Sequence, residues 1–183
     1  MSMEISNYKF QMSKKKARRS QTGFTIIELV IYLALFAIVM SGAISAVYNI
    51  FESSERNQTR AMLQDEGDFL LAKVEWSLTS LQTINSPPAP LSDSVLWVTR
   101  WDTAAGNPWV IDLYGTDMRL SRSGNPPQTL NNSNVQVSNL AFTHSFAGGV
   151  NPESVAASFT LSSHTPGGMT ISEDFSSVKF LRR

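Results

Sequence analysis

The sequence predicts an α+β protein: one long N-terminal helix followed by an antiparallel β-sheet domain. Three observations carry this. Every residue from Leu29 to Met40 is apolar, inside a block that runs from Phe24 to about Phe51. Beyond it, Leu63, Leu70, Val74, Leu78 and Leu81 recur at intervals of 7, 4, 4 and 3, which places them on one helical face. No proline stands between that block and Pro87, and after it the chain turns to short β-branched and aromatic runs separated by Gly, Pro and Asn.

The apolar block comes first. As a helix, Phe24 to Val47 spans roughly 36 Å at ~1.5 Å per residue, enough to cross a hydrocarbon core of ~30 Å. It is apolar all round, unlike a helix with one buried stripe. Charge is arranged around it. Before Gly23 there are six cations (Lys9, Lys14, Lys15, Lys16, Arg18, Arg19) and one acid, Glu4, for 6 − 1 = +5. From Phe24 onward there are 9 cations and 14 acids, for 9 − 14 = −5, so the net zero is a balance of opposite ends. A basic arm, an apolar span and an acidic body is the order of a membrane protein whose N-terminus stays cytoplasmic. Charged residues are only 16% of the chain, against about 25% in soluble domains. No aromatic interleaving of the cations suggests nucleic-acid binding, and none is expected as a partner.

Two simpler readings of the block leave something over. Ser41-Gly42-Ala43 resembles a signal-peptidase site, but the segment exceeds an h-region of about 7–15 residues and contains Glu28. A plain anchor accepts the length but does not account for a carboxylate that costs about 2.5–3.5 kcal/mol near a helix centre, less near an end.

Gly23-Phe24-Thr25-Ile26-Ile27-Glu28-Leu29-Val30 closely resembles the processing and methylation motif of type IV prepilins and type II secretion pseudopilins. The resemblance covers the N-terminal third. It implies a prepilin peptidase cut between Gly23 and Phe24, N-methylation of Phe24, and a role for Glu28, the fifth residue of the mature chain, in subunit assembly. The domains follow: a cleaved basic cytoplasmic leader over 1–23, a long helix over 24–82 (about 24–48 transmembrane) and an extracytoplasmic β domain over 83–183. Met1, Met3 and Met12 are possible starts; the last keeps the basic cluster. The implied partners are prepilin peptidase, other pilin or pseudopilin subunits, the assembly platform of the inner membrane and membrane lipid. The implied location is the inner membrane, as a single-pass protein, and then a filament.

The polar half of the helix follows. Its stripe from Leu63 to Leu81 reads as domain core, and the resemblance implies a helix whose second half packs on a sheet. Asn57-Gln58-Thr59 and Asn131-Asn132-Ser133 match the N-glycosylation pattern but carry little weight in a prokaryotic context.

Asn85 to Pro90 reads as a helix-breaking loop. Ser94 to Trp101 reads as a strand. Trp109 to Tyr114 and Met118 to Arg122 alternate on either side of Gly115-Thr116-Asp117, as in a hairpin. Val135 to Phe146, Val155 to Leu161 and Phe175 to Leu181 give three more strands. Met118–Arg122, Asn134–Phe142 and Pro152–Phe159 look like J-type minor pseudopilins and W-type minor pilins, which help initiate or cap their filaments.

Catalytic patterns do not emerge, and the chain is expected not to be an enzyme. His144 and His164 stand apart from any metal-ligand spacing and read as surface or strand residues. Neither a Gly-x-Ser-x-Gly elbow nor a Walker loop occurs. Asp102 to Asn107 lacks the ligand alternation of a calcium loop. No cofactor or metal is expected. The chain has no cysteine, which excludes disulfides and thiolate metal sites. Trp97, Trp101 and Trp109 are candidates for a binding platform or for sheet packing. The reading is a minor type IV pilin-like subunit, with two alternatives: a minor pseudopilin of a type II secretion system, or a membrane-anchored extracytoplasmic enzyme or binding domain.

Overall fold

A computed structural model describes residues 23–101, 106–123, 125–146, 148 and 152–181. The basic leader with its possible starts and the loop that begins at Asp102 lie outside the described residues. The fold is α+β. Among the described residues, one helix, α1 (Ile26–Ser77, 52 residues), is followed by nine strands: β1 (Leu81–Ser86), β2 (Ser92–Asp93), β3 (Leu96–Arg100), β4 (Trp109–Tyr114), β5 (Asp117–Arg122), β6 (Gln128–Thr129), β7 (Gln136–Ser145), β8 (Ser154–His164) and β9 (Thr170–Phe180). All pairings are antiparallel. Where one sheet was expected there are two, ordered β1-β3-β4-β5-β6 and β2-β7-β8-β9.

Two compact units divide the chain, residues 1–45 and 46–183. In the first, the described part is helix from Ile26 and its apolar side chains are bare: Ile26, Ile38 and Val39 are all more than two-thirds exposed. Such a surface is stable only in lipid or against other apolar helices. α1 is long and apolar enough to cross a membrane.

In the second unit α1 packs on both sheets. Thr59, Leu63, Gly67, Leu70, Val74 and Ser77 are buried at intervals of three and four residues, so a single stripe faces the sheets. Gly67 lets the helix approach β9, because a Cβ there would overlap the Phe175 ring. Phe175 stacks on Phe159 at 5.7 Å. Polar contacts border this seam. The Ser177 hydroxyl donates to Glu75 Oε1 at 2.6 Å and Lys179 lies 3.8 Å from the same carboxylate. On the other sheet, Trp76 meets Trp109 edge-on at 4.7 Å. The guanidinium groups of Arg100 and Arg122 lie 4.3 and 4.5 Å from the Trp109 ring, a cation–π arrangement that lets two arginines cover core indole. The core runs from Leu63, Leu70 and Val74 through Leu96, Val98, Trp109, Ile111, Met118 and Leu120 to Val137, Phe142, Phe159 and Leu161.

The helix stops short of Leu81. Ser80 takes φ 55°, its carbonyl accepts from Trp101 N–H at 2.9 Å, and Leu81 opens β1 opposite Arg100. The β4–β5 hairpin forms where alternation placed it, with Gly115 at φ 63° in the turn. Asn131 ties the two sheets together: its Oδ1 accepts from Met118 N–H at 2.8 Å and its Nδ2 donates to the Val135 carbonyl at 2.7 Å. This asparagine is 7% exposed, so the Asn131 sequon is a structural bridge and not a glycan acceptor.

Candidate functional site

The motif residues sit at the start of α1. Gly23, Phe24 and Thr25 precede the first helical residue, and all three are exposed. A Cβ added to Gly23 would meet nothing within 4 Å, so the Gly23–Phe24 peptide is open to approach on the side that glycine leaves bare. Thr25 is the helix N-cap. Its carbonyl accepts the first intrahelical bond from Leu29 N–H at 3.1 Å, and its hydroxyl oxygen accepts from Glu28 N–H at 3.3 Å. Thr25-Ile26-Ile27-Glu28 has the sequence of a capping box, but only its Thr25 half is formed, because the Glu28 carboxylate is engaged elsewhere.

The Glu28 side chain turns down the helix. Tyr32, one turn later, donates its hydroxyl to Glu28 Oε1 at 3.3 Å. The Phe24 ring meets the Tyr32 ring edge-on, with centroids 6.0 Å apart. Glu28 is the only residue from Gly23 to Ser54 that is half-buried; the others are exposed to varying degrees. The arrangement therefore gathers Gly23, Phe24, Thr25, Glu28 and Tyr32 within the first two turns. Tyr32 is the member that sequence reasoning missed. Its signal was a hydroxyl at i+4 from the acid in a run with no other polar side chain.

The remaining candidates separate. Trp109 is fully buried, while Trp97 and Trp101 are 45% and 69% exposed, so the three do not form one platform. His144 is a strand residue, as read from the sequence, but not a surface one. It is buried on β7, with Nδ1 2.9 Å from the Pro87 carbonyl and Nε2 2.8 Å from Glu153 Oε1. His164 ends β8 and is exposed. Among the described residues, no three His, Cys, Asp or Glu side chains are placed to share a metal ion.

Residues 18–44 match the family model described as the prokaryotic N-terminal methylation motif. The chain therefore carries the N-terminal motif of type IV pilin-like proteins, joined to an α+β fold of one long apolar helix and antiparallel sheets. No curated protein and no solved structure gives a significant match to the chain.

Proposed function

We propose that the chain is a minor type IV pilin-like subunit, processed by prepilin peptidase and assembled through its N-terminal helix into a pilus or pseudopilus. The observation that carries this reading is the methylation motif over residues 18–44, which coincides with an exposed, non-helical Gly23–Thr25 segment entering an exposed apolar helix. Cleavage after Gly23 creates an amine on Phe24, the atom that is then methylated. That cation sits at the positive end of the helix dipole, which is unfavourable. Glu28 lies one turn further and offsets it, within one subunit or between a subunit and its neighbour. In this reading 1–23 is the leader, about 24–48 is the single span of the inner membrane, and the acidic domain stands outside the cytoplasm.

A minor role, of the J or W type, is supported by three segments that occupy β5, β7 and β8 and by the lack of a cysteine-closed loop. The partners are prepilin peptidase, the assembly platform, lipid and other subunits. Mass spectrometry after co-expression with a prepilin peptidase tests the core claim. The expected product begins at Phe24 and carries one added methyl group. A product in which Gly23 remains joined to Phe24 refutes it.

A further inference from the structure

We propose that Tyr32 is a positioning residue for the Glu28 carboxylate, holding it by a hydroxyl hydrogen bond inside the bilayer before assembly. Its importance for assembly rests on the function proposed above; the bond itself belongs to the chain in lipid. A carboxylate entering hydrocarbon needs donors, because none come from the solvent. The Thr25 hydroxyl meets Glu28 at the backbone, its oxygen accepting from the Glu28 N–H at 3.3 Å, whereas the donor seen on the Glu28 carboxylate is Tyr32. From Leu29 to Met40, Tyr32 alone carries a side-chain hydroxyl. It stands at i+4, the spacing that brings two helical side chains together. The observed Oη–Oε1 distance is 3.3 Å.

Two further features fix the pair. The Phe24 ring lies against the Tyr32 ring, so the residue whose amine is freed by cleavage, the acid and the phenol form one small cluster. Glu28 is also half-buried where the other residues from Gly23 to Ser54 are exposed. One phenol occupies one of about four lone-pair positions on a carboxylate. Glu28 can thus accept an amine without releasing Tyr32, and the tyrosine orients the acid rather than competing for it.

Tyr32→Phe removes the hydroxyl and keeps the ring that touches Phe24. The direct test is solid-state NMR of the full chain in phosphatidylethanolamine–phosphatidylglycerol vesicles, reading the ring carbon that bears the Tyr32 hydroxyl. That resonance should move in Glu28→Ala while the Tyr48 and Tyr114 resonances stay. An unchanged Tyr32 resonance overturns the proposal. In cells, Tyr32→Phe should leave leader cleavage intact and lower the sheared-filament fraction by about 3- to 10-fold, as loss of one hydrogen bond would. It should add nothing in a Glu28→Ala background; an equal further loss there means that Tyr32 acts independently of Glu28 and overturns the pairing. If Glu28→Ala alone assembles normally, the assembly role proposed for Glu28 fails, while the NMR result still decides the bond.

Discussion

Gly67→Ala isolates the seam between α1 and β9. On helix propensity alone the substitution stabilises, since glycine in a helix interior costs about 1 kcal/mol relative to alanine. The structure reverses the sign. The new methyl would sit closer to Cδ1, Cε1 and Cζ of Phe175 than a real methyl ever does. The ring is half-buried and stacks on Phe159, itself 2% exposed, so any retreat breaks that contact. Overpacking of this kind costs about 1–3 kcal/mol, and displacing a phenyl ring from its packing costs more. Setting about 1 kcal/mol of propensity against about 2–4 kcal/mol of displacement leaves a net loss of about 1–3 kcal/mol. For a unit of this size that lowers the melting midpoint by roughly 3–10 °C. The assay is thermal unfolding of the full chain in detergent, followed by tryptophan fluorescence, since Trp109 is fully buried in the same core. Phe175→Ala then serves as the partner in a double-mutant cycle. With the ring gone, Gly67→Ala should stabilise by about 1 kcal/mol. A higher midpoint for Gly67→Ala in the native background, or no sign reversal in the cycle, refutes the packing described for this seam.

Glu28→Ala should be cleaved and methylated as the native chain is, yet enter filaments poorly; pulse-labelling of processed protein against sheared fibres reads both quantities. Trp109→Ala should cost about 3–5 kcal/mol through the cavity left by a fully buried indole, whereas Trp101→Ala, 69% exposed, should stay within about 0.5 kcal/mol; denaturant midpoints separate the two. The Asp93 carboxyl is held below its usual range chiefly by the Ser86 hydroxyl, 2.8 Å away. Its ionised form therefore adds stability that is present above the unfolded value and lost as pH falls through the lowered folded value. Ser86→Ala should flatten that part of the acid limb in a pH series of midpoints, by a small amount because the group is exposed.

The helix and the hairpin were legible because their signals are periodic. Leu63, Leu70, Val74 and Leu78 repeat at helical spacing and are all buried, and β4 and β5 alternate across Gly115. Leu81 misled for the same reason: it continues the interval of three from Leu78, and only the left-handed turn at Ser80 removes it from the helix. β1 hid because two register shifts spoil its alternation, leaving Leu81 and Ile84 three apart. β2 and β6 have two residues each, too few to show any period. Alternation names a buried face but not the neighbouring strand, so the division into two sheets was not readable. At the site, glycine, phenylalanine and glutamate were visible as a motif. The Tyr32 contact was not, since a tyrosine in an apolar run reads as one more hydrophobic side chain. The His144–Glu153 pair escaped because the two are brought together only by the β7–β8 pairing.

The apolar surface of Gly23–Ser45 and the packed core beyond it answer to different surroundings. Heat or urea dismantles the sheets by wetting their interior, but it has no interior to wet in a coil already wrapped in detergent or lipid. Loss of the tryptophan signal should therefore leave a residue of helical ellipticity that persists until the micelle itself gives way. A melt recorded at one wavelength would count that remnant as folded protein.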